Sequence, residues 1–425
     1  MKAIITPNLL GGQITAIPSK SDAHRILIAC ALSDKKTVVS INSKLLSDDI
    51  KATLKGLTAL GARFEYSDSA ITVYPIQNVD KAYIDCGESG STLRFLMPVA
   101  CALCGNNTFI MHGRLAKRPI DELQREMIKN GCEFSHTDEQ SLSALGRLKS
   151  GRFRIAGNIS SQYITGLLFA LPILDGDSEI ELTSPLQSSA YVDMTLSVLR
   201  RFGINILQCG NCFLIRGSQK YISPGKISVE GDWSNAAFWL CAGAVGLPVT
   251  VKGININSLQ ADKKITDILR SAGAYVHTDK NSVCVSPCAV LNTFEINAEQ
   301  IPDIIPVITV TALFANGKSL IYNAARLRIK ESDRIAAISS VIASLGGKIR
   351  TGQDFIEITG NTPLKGSEVS GFNDHRIIMS AAIAAQYCSD NVTINGCEAV
   401  NKSYPSFFED YNNLGGIANV ISDGK

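Results

Sequence analysis

Short polar turns that lead directly into apolar segments are the first candidates for chemistry in this sequence. The stretch "GESGSTLR", residues 87–94, places two glycines, two serines and an arginine immediately before an apolar run. Backbone N–H groups at the start of a helix, together with the positive end of its dipole, attract phosphate or carboxylate. A serine that merely caps a buried helix would need the same small polar residues. This turn alone therefore leaves both an anion site and a structural cap open.

Basic residues recur at or beside comparable turns. They are Lys20, Arg25, Arg94, Arg118, Arg326, Arg328, Lys330, Arg334, Arg376 and Lys402. Any one of them alone is typical of a solvated surface charge. Helix capping does not require an arginine in the first turn of an apolar helix, whereas the planar guanidinium suits carboxylate and phosphate oxygens. The recurrence therefore predicts that the protein binds small anions.

The elements that would position these residues repeat along the chain. Six amphipathic segments end in glycine, at Gly61, Gly131, Gly203, Gly273, Gly346 and Gly415, with spacings of 70, 72, 70, 73 and 69 residues. A glycine just after a helix takes the left-handed conformation that other residues resist. A second series of polar helix starts, marked by Ser21, Ser91, Ser161, Ser234, Asp303 and Asp374, runs in step at spacings of 70, 70, 73, 69 and 71.

These two series predict an α/β protein built from six units of about 70 residues, each with two helices and several strands. Because 425 residues exceed one ordinary core, three units in each of two similar domains is the expected arrangement. A solenoid of stacked repeats is the alternative, although solenoid repeats are usually shorter.

Composition excludes several functional classes. Hydrophobic residues make up 45% and charged residues 19% of the chain, and the net charge is +2, so no basic field indicates nucleic acid or anionic lipid. No apolar run approaches the ~18 to 20 residues of a membrane span, and the N-terminus lacks the pattern of a signal peptide. Twelve scattered cysteines are typical of a reducing cytosol. We therefore expect a cytoplasmic protein without membrane or nucleic-acid partners.

Two C-x-x-C pairs, Cys101 with Cys104 and Cys209 with Cys212, raise the question of a metal site. The first pair falls inside an apolar helix pattern and neither has a histidine nearby, so buried or turn cysteines are favoured over a zinc site. No metal is expected.

Taken together, the motifs resemble the 5-enolpyruvylshikimate-3-phosphate (EPSP) synthase family. The matching stretches appear in family order: "PSKSDAHR", "GESGSTLR", "KRPIDEL", "ISSQYITGLL", "IPDIIP", "IKESDR", "FNDHR" and "KSYPSFF". The resemblance implies two domains, each of three βαβαββ-type repeats around a pseudo-threefold axis, with the active site in the interdomain cleft. It also implies that the chain crosses between domains twice, giving domains 1–14 plus 229–425 and 15–228.

The resemblance further implies the substrates and the residues that bind them. The implied shikimate 3-phosphate ligands are Lys20, Ser21, Arg25, Ser160, Ser161, Gln162, Ser188, Asp303 and Lys330. The implied phosphoenolpyruvate ligands are Lys20, Gly90, Arg118, Gln162, Arg334, Arg376 and Lys402. Asp303 matches the family's proton acceptor and Glu331 its proton donor. Enolpyruvyl transfer by addition and elimination needs such an acid–base pair, but no cofactor. We expect a monomer.

The sequence alone leaves two other functional interpretations open. The sibling UDP-N-acetylglucosamine enolpyruvyl transferases share the fold and the donor, but they commonly carry a cysteine five residues before the matching arginine, where this chain has Gly113. A non-catalytic repeat scaffold would explain the polar turns as caps. Glu88 and Ser91 stand where well-known EPSP synthases have Asn and Thr, which leaves their effect on phosphoenolpyruvate affinity open.

Overall fold

The computed structural model describes residues 1–77 and 79–422. The chain divides into two compact units. The N-terminal unit is Pro18–Val229, and the C-terminal unit combines Met1–Ile17 with the described residues of Glu230–Lys425.

Twelve α-helices occur among the described residues, six in each unit. Those of the N-terminal unit are α1 (Lys20–Ala31), α2 (Asp48–Ala59), α3 (Gly90–Leu103), α4 (Asp121–Lys129), α5 (Ser161–Ala170) and α6 (Ser189–Arg201). Those of the C-terminal unit are α7 (Trp233–Val245), α8 (Ile265–Ser271), α9 (Ile305–Thr311), α10 (Arg334–Ser344), α11 (His375–Ala385) and α12 (Phe407–Asn413).

The strands form three four-stranded sheets in each unit. The chain begins with β1 (Lys2–Thr6) and β2 (Gly12–Thr15) of the C-terminal unit. The N-terminal unit contains β3 (Thr37–Ser40), β4 (Arg63–Ser67), β5 (Ala70–Tyr74), β6 (Ala82–Asp85), β7 (Asn106–Ile110), β8 (Glu133–Asp138), β9 (Ser141–Leu145), β10 (Arg152–Ala156), β11 (Ser178–Ser184), β12 (Ile206–Cys209), β13 (Cys212–Ile215) and β14 (Lys226–Ser228). The rest of the C-terminal unit contains β15 (Val249–Lys252), β16 (Tyr275–Asp279), β17 (Ser282–Ser286), β18 (Glu295–Asn297), β19 (Lys318–Tyr322), β20 (Lys348–Thr351), β21 (Phe355–Thr359), β22 (Glu368–Ser370), β23 (Val392–Asn395) and β24 (Ile417–Ile421).

All six sheets share one topology. Each begins with a parallel pair and continues with two antiparallel pairs, as in the order β6-β7-β9-β8. With the intervening helices this gives the order βαβαββ, so the repeat predicted from the glycine spacing is confirmed. The parallel pair needs a crossover helix, and the antiparallel pair closes through a short turn.

Three strands, β1, β2 and β14, pair with strands that are distant from them in sequence. β2 precedes α1 in sequence but pairs with β15, whereas β14 precedes α7 but pairs with β3. β1 lies between β23 and β24 and completes the last sheet of the C-terminal unit. The chain thus enters and leaves the N-terminal unit by strands that complete a sheet in each unit.

The buried helices carry the polar turns at their starts. α7 and α11 are buried along their whole length, and α1, α3 and α5 nearly so. Ser19, Ser89, Ser160, Asp232 and Asp374 cap the helices α1, α3, α5, α7 and α11 by accepting from backbone N–H groups. Capping therefore explains part of the polar pattern, as expected.

The glycine at the end of each repeat takes the predicted conformation. The φ angles of Gly61, Gly131, Gly203, Gly273, Gly346 and Gly415 lie between +77° and +98°. A side chain at these positions would strain the backbone. Glycine therefore lets the chain turn from the helix into the following strand at low energetic cost.

Candidate active site

In the N-terminal unit, the start of α1 presents two of the predicted cations. The ammonium of Lys20 lies 2.8 Å from a carboxylate oxygen of Asp49 on α2, and both side chains are largely buried. Ser21 follows in the first turn, and its backbone carbonyl accepts from Arg25 at 2.6 Å. Lys20 is therefore held at the helix entrance rather than extended into solvent.

Arg25 is buried against neutral acceptors. Only 2% of the residue is exposed. Its guanidinium donates to the Thr195 hydroxyl, to the Ser21 carbonyl and to the Tyr191 carbonyl, and it lies over the Phe95 ring. Burial lowers the pKa of Arg25 to about 10, which still leaves it charged at neutral pH. These three acceptors are uncharged, and the charge of the nearby Asp22 favours the charged form of Arg25.

A second group, which we call the Gly90 cluster, consists of Gly90, Arg94, Arg118 and Gln162. A Cβ atom on Gly90 would lie 2.6 Å from Nη1 of Arg94 and 2.7 Å from Nη1 of Arg118. Only glycine at the first residue of α3 lets both guanidinium groups approach the backbone this closely. The cluster therefore brings Gly90, Arg118 and Gln162 together as the sequence predicted, and adds Arg94.

Gln162 connects the two buried helices of this cluster. Its side-chain oxygen accepts from Arg94 Nη1 at 3.0 Å, and its amide nitrogen donates to the Ser91 hydroxyl at 3.0 Å. Arg94 also donates to the Pro119 carbonyl at 2.9 Å, next to Arg118 in sequence. The side chains of α3 and α5 thus fix the segment that carries Arg118.

A row of uncharged groups joins α1, α2 and α3. His24 Nδ1 lies 2.7 Å from the Thr53 hydroxyl, Thr53 lies 2.7 Å from Thr92, and Thr92 donates to the cap Ser89 at 2.8 Å. Burial and then the charges of Lys20 and Arg25 hold the pKa of His24 well below its usual value. A neutral imidazole therefore links the start of α1 to the start of α3.

Three of the four predicted serines occupy two helix entrances of the same unit. Ser160 caps α5, and Ser161 is its first residue. Ser188 precedes α6 in the left-handed region, at φ 55°, and is 2% exposed. A non-glycine residue with positive φ is uncommon and marks a locally constrained backbone. Ser188 lies at the start of the helix whose carbonyl oxygen and hydroxyl hold Arg25.

Glu88 lies beside the loop that leads to Arg118. A Cβ on Gly113 would lie 2.5 Å from a Glu88 carboxylate oxygen, so a side chain at residue 113 would require that carboxylate to move. The acidic side chain therefore leans toward Gly113 in this turn.

In the C-terminal unit, one guanidinium joins three carboxylates. We call this group the Arg334 cluster: Arg334, Asp303, Glu331 and Asp374. Arg334 binds Asp303 Oδ1 at 2.8 Å, Glu331 Oε2 at 2.7 Å and Asp374 Oδ2 at 2.9 Å. Arg334 is 1% exposed and Asp374 is fully buried, whereas Asp303 and Glu331 remain 19% and 21% exposed.

The charges of this cluster compensate one another. Burial would lower the pKa of Arg334, but the charges of Asp374, Glu331 and Asp303 outweigh it and raise the pKa. Lys330 lies 3.5 Å from Asp303 Oδ1, and burial lowers its pKa while Asp303 acts in the opposite direction. The cluster thus places two partly exposed carboxylates on one rigid cation.

Asp303 is not a helix cap. α9 begins after Ile304 without a side-chain cap, and Asp303 instead binds Arg334 and Lys330. The equivalent positions of the other repeats lie in or at the first turn of their helices. Helix capping therefore does not explain the carboxylate at position 303.

Arg376 and Lys402 lie near the entrance of α11. Asp374 caps this helix by accepting from the backbone N–H of Arg376, which connects the entrance to the Arg334 cluster. The Arg376 side chain turns to α7 and donates to the Ser234 carbonyl at 2.9 Å. Lys402 donates to the carbonyl of Asn373, a residue at φ 53°.

Sequence reasoning missed three residues. Asp374 was expected mainly as a cap, yet it also binds Arg334 Nε. Arg94 was noted as a cation but not placed in the site. Asp262, a buried carboxyl that accepts from Ser234, had no local signal. The arginine in the first turn of an apolar helix had indicated Arg94 as an anion-binding cation, and a buried charge of this kind requires partners.

Among residues 1–77 and 79–422, no group of three or more His, Cys, Asp or Glu side chains is placed to hold a metal ion. Within the same ranges, no helix is both long enough and apolar enough to cross a membrane.

Comparison with known proteins identifies the family. The family model described as EPSP synthase (3-phosphoshikimate 1-carboxyvinyltransferase) matches residues 4–411. The 3-phosphoshikimate 1-carboxyvinyltransferases of Clostridium beijerinckii and Clostridium acetobutylicum are 41% and 43% identical to this chain, and each alignment covers 99% of both chains. A solved EPSP synthase from Acinetobacter baumannii superposes with a TM-score of 0.81 at 24% identity, covering 99% of this chain and 100% of that one. The enolpyruvyl transferase NikO from Streptomyces tendae shares the fold at a TM-score of 0.80 and 18% identity.

The six-repeat α/β fold is therefore that of the enolpyruvyl transferases. The chain belongs to the EPSP synthase (3-phosphoshikimate 1-carboxyvinyltransferase) family. The resemblance, the two-domain α/β fold class and the enzyme class predicted from the sequence are confirmed. The family's reaction is the predicted one, transfer of the enolpyruvyl group from phosphoenolpyruvate to shikimate 3-phosphate in the shikimate pathway.

Proposed function

We propose that the two clusters act on the same pair of substrates, phosphoenolpyruvate and shikimate 3-phosphate, and that the acid–base groups are Asp303 and Glu331. The observation that carries this proposal is the Arg334 cluster, in which one buried guanidinium holds both carboxylates while leaving each partly exposed. A purely structural ion pair would not need to keep two carboxylates accessible.

The N-terminal unit supplies the positive charge for shikimate 3-phosphate. Its phosphate would bind at Lys20, Ser21, Arg25, Ser160, Ser161 and Ser188, and its ring would contact Gln162, with Lys330 and Asp303 on the C-terminal unit. Arg25 and Ser188 support this assignment, because a buried cation with neutral acceptors and a constrained helix start both favour an anion.

Phosphoenolpyruvate would be held by Lys20, Gly90, Arg118, Gln162, Arg334, Arg376 and Lys402. The two substrates together carry roughly four to five negative charges near neutral pH. At ~5 Å and an effective dielectric of 20, each pair of these charges repels by about 3 kcal/mol. Cations and helix entrances must therefore offset this repulsion, and the Gly90 cluster presents two guanidinium groups for that purpose.

The chemistry proceeds by addition and elimination. The 5-hydroxyl oxygen of shikimate 3-phosphate bonds to C2 of phosphoenolpyruvate while Asp303 accepts the hydroxyl proton. Glu331 gives a proton to the methylene carbon, which yields a tetrahedral intermediate. The new methyl group then returns a proton to Glu331, the bond between C2 and the phosphate oxygen breaks, and the proton on Asp303 leaves with the phosphate.

Arg334 allows this exchange of roles. When an anion accepts a hydrogen bond from one N–H group of Arg334, the attraction of Arg334 for a neighbouring carboxylate weakens. That carboxylate can then accept a proton. The reaction transfers neither hydride nor electrons, so we propose no cofactor. We further propose a cytoplasmic monomer whose two domains follow the predicted division into 1–14 plus 229–425 and 15–228 to within several residues of each edge.

Phosphate release tests the proposal. Purified protein would receive phosphoenolpyruvate alone, with shikimate 3-phosphate, or with UDP-N-acetylglucosamine. We expect release only with shikimate 3-phosphate, and a strong fall in Asp303→Ala and Glu331→Ala, but not in the exposed Asp279→Ala. Release with the nucleotide sugar alone would assign the chain the sibling activity, and no release from folded protein in any tube would contradict the proposal.

A further inference from the structure

A buried carboxyl that the mechanism above does not use lies behind Arg376. Asp262 belongs to a short 3-10 turn, Ala261–Lys264, that leads into α8, and it is 2% exposed. Its Oδ2 accepts a hydrogen bond from the Ser234 hydroxyl. Its Oδ1 is buried and has no hydrogen-bond partner among the described residues. A buried polar atom without a partner is costly and needs an explanation.

A single residue, Ser234, connects Asp262 to Arg376 through hydrogen bonds. Ser234 donates its hydroxyl to Asp262 and accepts, at its own backbone carbonyl, from Arg376 Nη1 at 2.9 Å. The side-chain oxygen of Asn235 lies 3.5 Å from the same Nη1. Arg376 Nε is also buried and has no hydrogen-bond partner among the described residues. The first turn of α7 therefore connects the buried carboxyl to a guanidinium that can still donate.

Three charged groups act on Asp262 from the surrounding elements. Asp303 and Asp232 carry like charge, and Arg376 carries opposite charge. Burial, followed by the charge of Asp303, raises the pKa of Asp262 to about 7, against the hydrogen bond from Ser234 and the charge of Arg376. Both the neutral and the ionised form are therefore populated near neutral pH.

We propose that Asp262 is a positioning residue for phosphoenolpyruvate, whose neutral form leaves the charge of Arg376 available to the anion. This inference rests on the proposed binding of phosphoenolpyruvate at Arg376. An ionised Asp262 competes for the charge of Arg376 and repels the incoming carboxylate or phosphate. Binding of the anion is then coupled to uptake of a proton by Asp262, and the coupling is reciprocal.

The pH dependence of the KM for phosphoenolpyruvate tests this role at saturating shikimate 3-phosphate. Above pH 7 the substrate itself is almost fully ionised, since the second phosphate pKa is about 6. In the wild type we expect KM to rise by up to about tenfold per pH unit between pH 7 and pH 9, with a smaller change in kcat. In Asp262→Asn, which keeps the shape and loses the charge, this rise should largely disappear.

Ser234→Ala gives an independent test, because it should shift the pH at which KM begins to rise rather than abolish the rise. It removes the hydrogen bond that lowers the pKa of Asp262, so the rise in KM should begin at higher pH than in the wild type. Asp267→Asn, which removes an exposed carboxylate on α8, should retain the wild-type profile and controls for net charge. Titration of Lys330 would persist in Asp262→Asn and is thereby distinguished.

Each result decides between the two proposals. Identical KM profiles in the wild type, Asp262→Asn and Ser234→Ala would overturn the role of Asp262 and leave the enzyme activity standing. Absence of turnover in the wild type at every pH would overturn the proposed function and this inference with it. Thermal unfolding at pH 7 shows whether each variant is folded, and if Asp262→Asn does not fold, the shifted profile of Ser234→Ala carries the test.

Discussion

Arg25 and Arg334 are buried to nearly the same extent, yet their surroundings change their pKa values in opposite directions. Arg25 in the N-terminal unit donates to a hydroxyl and two carbonyl groups, and burial lowers its pKa to about 10. Arg334 in the C-terminal unit binds three carboxylates, whose charges raise its pKa. The same side chain therefore serves two different purposes.

Neutral acceptors hold an arginine in place without cancelling its charge, so more of its attraction remains for an anion than at an arginine bound to carboxylates. Carboxylates cancel the charge, but they provide groups that can accept and donate protons. Under the proposed assignment, the N-terminal unit attracts the negative charge of the substrates and the C-terminal unit transfers protons. Changes at the two arginines and their neighbours should separate binding from chemistry.

The largest effect is expected at the carboxylates of the Arg334 cluster. Asp303→Asn and Glu331→Gln keep the shape but remove the proton-transfer group, and general acid–base catalysis contributes about 10²- to 10⁴-fold. We expect kcat to fall within that range with smaller changes in KM, measured by steady-state phosphate release. Asp279→Asn is the exposed control. A change in KM alone would show that these residues bind substrate without transferring protons.

The second largest effect is expected in the free energy of unfolding, which should fall more in Arg334→Met than in Arg25→Met. Arg334→Met leaves the fully buried Asp374 without its cation, which costs about 3–5 kcal/mol in the free energy of unfolding. Arg25→Met leaves only neutral acceptors unsatisfied, at about 1–3 kcal/mol. Urea denaturation at pH 7 compares the two. Equal losses would contradict the distinction between the two arginines.

A single added methyl group should weaken phosphoenolpyruvate binding. In Gly90→Ala the new Cβ would displace the guanidinium groups of Arg94 and Arg118. Losing one charge-assisted hydrogen bond to the anion costs about 1.5–3 kcal/mol, or roughly ten- to a hundredfold in KM, with less effect on kcat. Gly105→Ala, where the nearest atom would lie at 3.5 Å, is the matched control. An unchanged KM would remove Gly90 from the binding site.

The smallest effect is expected at His24. Because its pKa is lowered in the folded protein, its contribution to stability is fully present above about pH 6.5 and is lost as pH falls from there toward the folded-state value. The stability difference between the wild type and His24→Asn should therefore shrink by about 1 kcal/mol between pH 7 and pH 5.5. Urea denaturation at the two pH values measures it. A constant difference would mean that His24 does not titrate on unfolding.

The repeats were predictable because they depend on local rules. Gly61 and its five equivalents end helices through a backbone conformation that sequence alone signals, and their spacing predicts units of about 70 residues with two helices and several strands. The βαβαββ order within a unit was implied by the family resemblance. The residues of the site could be named only through the family resemblance, since each of them is also a plausible cap or surface charge.

What the sequence did not show is how side chains from distant segments meet. Asp374 lies 40 residues from Arg334, and Asp262 lies 28 residues from Ser234, so no local pattern connects them. Nor did the polar starts of the helices distinguish Ser89, which caps α3, from Ser91, which binds Gln162. Such contacts depend on the packing of whole helices rather than on spacing along one of them.

The most direct test of the proposed addition and elimination is to run the reaction in heavy water and measure deuterium in the enolpyruvyl methylene group of the product by NMR. Addition and elimination through Glu331 pass through a methyl group that gains a deuteron and then loses either isotope. We therefore expect deuterium in the product's methylene group, together with loss of both turnover and exchange in Glu331→Gln. A product formed at normal rate without deuterium would contradict the assignment of Glu331 and the two-step chemistry.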